Sequence, residues 1–129
     1  MFNSICVISL GAVLGALCRW SLGLVLNAVF PPIPLGTLTV NIIGAYCIGL
    51  AISVFSFFPA IAPEWRLLVI TGFLGSLTTF STFSAEVGAL MQQQRLFLAM
   101  AAITLHVAGA LAALFLGIGS FALIKYFLR

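Results

Sequence analysis

Charge is what this sequence lacks. Five basic and two acidic residues are all that its 129 positions carry, 5% of the chain against 64% hydrophobic. A soluble domain devotes about 25% of its residues to charge, so this composition cannot build a water-facing surface. What is left is an integral membrane protein with nearly all of its length in the lipid bilayer. The net charge of +3 is small and scattered. That excludes a nucleic-acid footprint and fits anchoring beside a membrane. One histidine, two acids and no Cys/His spacing argue against an enzymatic metal site. Ser76, Ser81 and Ser84 lack a G-x-S-x-G context and an evident positioned base, which argues against a serine hydrolase too. Cys6, Cys18 and Cys47 lie in apolar stretches and read as free packing thiols. The amino-terminal stretch lacks a basic start, and its apolar run continues through Arg19 to Phe30. It reads as a first transmembrane helix and not a signal peptide.

What is present is apolar length. A spanning helix needs about 20 apolar residues, and four stretches supply them, at roughly 2–28, 36–57, 64–93 and 95–127. Pro31, Pro32 and Pro34 close the first, and Pro59 and Pro63 the second, because proline cannot continue a helix. The expected fold is an all-α membrane protein, one domain over 1–129 with four transmembrane helices. Short connections make successive helices antiparallel. The amino terminus, the 58–65 loop and the carboxy terminus then share one side, with Arg66, Lys125 and Arg129. Arg95 lies on the other side, with Arg19 toward it. This bias is weak, and both a single orientation and a dual topology stay open. Four helices enclose little space, so a transport path implies a homo-oligomer. Small residues at helical spacing provide close-packing stripes: Gly11, Gly15 and Gly23; Gly36, Gly44 and Ala45; Gly109, Ala110, Ala113 and Gly117.

One stretch contradicts its surroundings. Gly75-Ser76-Leu77-Thr78-Thr79-Phe80-Ser81-Thr82-Phe83-Ser84 places a glycine, six hydroxyl residues and two phenylalanines inside the third span. Hydroxyls compete with the helical backbone, so a break near 75–80 is expected at membrane depth. Irregular backbone survives there only when buried in protein or lining a water-filled cavity. Phe80 and Phe83 share a face if the chain is helical again, as core or lipid-facing rings or as ring edges turned to an anion.

Four polar residues accompany the break. Asn41 is either an interhelical hydrogen bond or an amide donor to a passing anion. Arg19 is either a snorkelling anchor or a fixed charge drawing anions to a vestibule. Glu86, the only acid well inside a span, is either a proton-coupling group or an acceptor for nearby hydroxyls. His106 reads as a structural hydrogen bond ahead of a proton relay.

These motifs together resemble the CrcB/Fluc fluoride channels. The residues that carry the resemblance are Gly75 through Ser84, Asn41 within Gly36-Thr37-Leu38-Thr39-Val40-Asn41, Gly15 through Arg19, and Glu86. It extends over the whole chain in length, spans and motif order. It implies an antiparallel, dual-topology homodimer in a bacterial inner membrane, with two fluoride pathways and no enzymatic activity. It implies passive export of fluoride, which gathers in cells when HF crosses the membrane and ionises, and hence fluoride resistance. It assigns Phe80 and Phe83 to ring edges facing fluoride, and Asn41 to a pore donor. Ser81, Thr82, Glu86 and Thr37 become a polar track, with Ser84 and His106 as further candidates and Arg19 at a vestibule. It also implies one structural Na⁺ at the dimer centre, held by the backbone carbonyls of Gly75 and Thr78. Some members carry a serine on the fourth helix where this chain has Ala110, so that donor is absent here. The competing four-span class, proton-coupled small multidrug exporters, needs an acid in its first helix, and this first helix has none. A purely structural role leaves the hydroxyl-rich break without a reason.

Overall fold

A computed structural model describes residues 1–127, all helix and short connections. Helix α1 covers Phe2–Leu26 and α2 covers Leu35–Phe57. The third span opens with a turn, α3 (Pro63–Arg66), continues as a π-helix over Leu67–Leu74, and ends its first half with α4 (Gly75–Leu77). Its second half is α5 (Phe80–Gln92), and α6 runs over Leu96–Phe127. Four helical segments are long and apolar enough to cross a membrane, the third being Pro63–Gln92 taken across its break.

The turn between α1 and α2 is closed by a side chain. Asn27 Oδ1 accepts from the Gly36 N–H at 2.8 Å. That satisfies one of the donors a helix start leaves without a partner. It also fixes the proline-rich connection over the end of α1.

The two most extensive packing partnerships are α1 with the π segment and α2 with α6. Both pairs run parallel. Gly11 lies against Leu68 and Phe73, and Gly15 against Phe73 and Leu77. Asn41 meets His106, and Tyr46 meets Ser120 through hydroxyls 3.1 Å apart. Glycine permits these approaches. A Cβ at Gly117 would press on the Tyr46 carbonyl, and one at Gly49 on the Leu114 carbonyl. The small-residue stripes are therefore contact seams within the chain. The antiparallel relation between chain neighbours is real, but the closest backbones belong to helices two apart in sequence.

The break is narrower than the expected 75–80. Gly75 is helical, with φ −63 and ψ −31. Only Thr78 (φ −81, ψ 156) and Thr79 (φ −151, ψ 117) leave the helix, both into extended backbone. The hydroxyl residues, rather than the glycine, mark the bend. Upstream, the π stretch is the other irregularity, and it coincides with the close approach of Gly72 to Ile8 and Gly11.

Large apolar side chains cover the outside. Trp20, Phe97, Phe115, Tyr126 and Phe127 are all more than half exposed in the single chain, as lipid contact or a partner surface requires. Arg66 donates to the Phe55 carbonyl at 2.6 Å, and Lys125 lies 4.7 Å from the Phe57 ring centroid. Arg66 and Lys125 are thus folded onto aromatic residues near the helix ends.

Candidate functional site

The extended residues Thr78 and Thr79 cannot make the helical ladder, so their neighbours find other partners. The Thr79 N–H donates to Asn41 Oδ1 at 2.8 Å, and the Thr79 carbonyl accepts from Asn41 Nδ2 at 3.0 Å. A backbone N–H only donates, so the orientation of the Asn41 amide is fixed. The second Nδ2 hydrogen reaches His106 Nδ1 at 3.1 Å. His106 must therefore accept at Nδ1, and its proton sits on Nε2. Asn41 joins α2, the break and α6 with one side chain, and all of its amide groups are engaged.

Thr79 caps the restarted helix. Its Oγ1 accepts from the Thr82 N–H at 3.1 Å and donates to Thr82 Oγ1 at 3.0 Å, with Ser81 Oγ 3.3 Å away. This is N-capping by a threonine. The carbonyls of the turn before the break, Gly75 through Thr78, are released as a result. In a continuous helix Thr79 would donate to Gly75 and Thr82 to Thr78; here those donors go to Asn41 and to the Thr79 hydroxyl. The Gly75 and Thr78 carbonyls thus lose their helical partners. Both residues border a groove of about 600 Å³ that also meets Ala12, Ala16, Arg19 and Phe80.

The aromatic residues divide. Phe83 is buried and stacks on His106, with ring centres 4.5 Å apart and planes at 27°. Phe80 is 77% exposed and tilted 59° to Phe83 across 5.5 Å. A cavity of about 400 Å³ brings Asn41, Thr79, Phe80, Phe83, His106 and Ala110 together. A second groove of about 400 Å³ brings together Arg19, Asn27, Thr37, Thr79 and Thr82. At its edge the buried Thr37 hydroxyl donates to Glu86 Oε1 at 2.5 Å.

Most residues singled out from sequence therefore converge. Thr37 pairs with Glu86, Asn41 with His106, and Ser81 and Thr82 surround the cap. Half-buried Arg19 borders two of the grooves. Ser84 stands apart, because its hydroxyl donates to the Phe80 carbonyl in its own helix at 2.9 Å. Thr79 was not among the sequence candidates, although it borders all three spaces. Its signal was a threonine just before a restarting apolar helix, the residue type an N-cap prefers.

These features define a class: a multi-pass membrane protein with a spanning helix broken midway and polar side chains gathered at the break. That is the architecture of proteins that pass solutes through the bilayer. A family model described as CrcB-like protein, Camphor Resistance (CrcB), matches residues 6–118. A relative in Desulfovibrio desulfuricans is 58% identical over 125 residues, covering 97% of each chain. One in Pseudomonas paraeruginosa is 59% identical over 120 residues, covering 93% of this chain and 94% of its own. One in Pseudomonas putida is 55% identical over 121 residues, covering 94% and 95%. Each of these relatives is named a fluoride-specific ion channel, FluC. The chain belongs to the CrcB family, and this is a family of channels rather than enzymes.

Proposed function

We infer that this protein is a fluoride-selective channel that lets fluoride leave the cell passively, lowering cytoplasmic fluoride and its toxicity. One observation carries this beyond the names of its relatives. The cavity at the break combines two phenyl rings, one imidazole, one side-chain amide and two threonines, with no full charge on its walls. Fast conduction needs weak binding at several places. The positive edge of a phenyl ring and neutral N–H donors offer such binding to a small anion. The Phe80–Phe83 pair is the first station. His106, with its proton on Nε2, supplies a donor near Ala110, where no hydroxyl is present. Asn41 holds the break and becomes a donor to fluoride by exchanging its bond to His106. Ser81, Thr82, Thr37 and Glu86 continue the polar track, and Arg19 draws anions to its entrance.

The functional unit in this proposal is an antiparallel homodimer with two pathways and subunits inserted in both directions. The exposed Phe80 and the open groove at Gly75 and Thr78 support it, since both are surfaces that a second copy would cover. The same two carbonyls fit a structural Na⁺. They are hard oxygen donors without helical partners, the kind a hard cation takes. Their counterparts in a second copy would complete the set, and the ion's part would be to hold the two breaks together.

The test is fluoride efflux from liposomes carrying the purified protein. Fluoride should leave at a rate far above that of chloride. No fluoride flux, or equal flux of chloride, removes the channel reading. Phe80→Ile should stop the flux while the protein still elutes as a dimer.

A further inference from the structure

Beyond Glu86 the polar line reaches a smaller cavity of about 160 Å³, where the chain turns from α5 into α6. Glu86, Gln93 and Arg95 face it, with Pro31, Pro32 and Pro34 closing the other side. The turn has a fixed shape. Gln94 adopts a left-handed conformation with φ 58, and the Arg95 N–H bonds the Leu90 carbonyl at 2.9 Å. Arg95 is thereby held at the entry of α6, its carbonyl accepting from Ala99 at 3.0 Å.

An arginine is the wrong charge for that position on grounds of stability. A helix start carries positive partial charge and favours an acid. Here the two positive sources add, and they border the cavity that also contains Glu86. A carboxylate is an obstacle on an anion path, because like charges repel. Removing it would take away the partner of buried Thr37. A cation in the same small cavity offsets the repulsion and leaves that hydrogen bond in place.

We propose that Arg95 is the mouth cation of the ion path: it offsets Glu86 and concentrates fluoride at the α5–α6 end. It differs from Arg19, which is half-buried and borders the grooves on the far side of Thr37. The inference rests on the fluoride-channel reading.

The measurement is fluoride current or efflux for the unsubstituted protein and for Arg95→Lys, Arg95→Gln and Arg95→Glu. Each is recorded at low and at high ionic strength set with an impermeant electrolyte. At low ionic strength lysine should match the original. Glutamine should lower the flux about threefold, less than the roughly tenfold or more of a whole charged cleft because a single exposed charge is removed, and glutamate should lower it further. At high ionic strength the series should converge, because exposed charge is screened over about a Debye length. Equal flux across the series at low ionic strength overturns the proposal. So does a loss that salt does not relieve, since that would make Arg95 a packing, turn or topology-setting residue. Absence of fluoride flux through the unsubstituted protein takes down the channel reading and this inference with it, whereas flux indifferent to Arg95 takes down the inference alone.

Discussion

Asn41 has two tasks that ordinary substitutions separate. Its oxygen holds the Thr79 N–H, and its nitrogen holds the Thr79 carbonyl and His106. Asn41→Asp keeps the first and loses the second. Asn41→Ala loses both and leaves two backbone groups unpaired at membrane depth. Alanine should therefore lower stability by about 1–2 kcal/mol, the size found for interhelical hydrogen bonds in membranes. Aspartate should cost less, yet stop fluoride efflux, because a new negative charge replaces a donor. Thermal unfolding in detergent, followed by retention of the dimer peak, measures the first effect, and liposome efflux measures the second. If alanine proves as stable as aspartate, the bracket around Thr79 is not what holds the break. The sequence marked Asn41 as important because an amide in hydrocarbon must find partners. It could not reveal which partners, since Thr79 and His106 are 38 and 65 positions away. That information exists only once three elements are packed together.

The elements were legible to different degrees for physical reasons. Apolar length located the spans, and prolines located their ends, because both follow from local chemistry. The hydroxyl cluster disclosed the break but placed it a few residues wide. Its true position depends on where Asn41 can substitute for lost helix bonds. Nothing in Leu67–Leu74 announces a π-helix; its apolar residues would serve an α-helix equally well. The glycines carried more than their spacing indicated. Gly117 and Gly119 are indistinguishable by type, yet a Cβ at Gly117 meets the Tyr46 carbonyl while one at Gly119 meets nothing within 4 Å. Gly117→Val should accordingly part α2 from α6 and sharply reduce the yield of folded protein. Gly119→Ala should be tolerated, or stabilise the helix by up to about 1 kcal/mol from propensity. Comparable folded yields for the two variants would show that the α2–α6 seam is looser than these contacts require.

The whole molecule presents a problem of orientation that charge almost leaves undecided. Among the described residues, Arg66 and Lys125 stand at one end of the bundle and Arg95 at the other, while Arg129 lies outside the described residues. Positive residues near span ends are retained on the cytoplasmic side, so so small a difference permits insertion both ways. If the channel is an antiparallel pair, that balance is required for activity. Disturbing it should then abolish flux without touching the site. Phe30→Lys with Gln92→Lys adds charge at the Arg95 end, and Ala60→Lys with Ala62→Lys adds it at the other. Each doubly substituted chain should insert in one direction, as a carboxy-terminal reporter would register, and should carry little fluoride alone. Produced together, the two opposed chains can pair, and efflux should return. A chain shown by its reporter to insert in a single direction, yet carrying full fluoride flux by itself, would defeat the antiparallel dimer. The break, the Asn41 bracket and the ring pair would then have to form their path within one subunit or a parallel assembly.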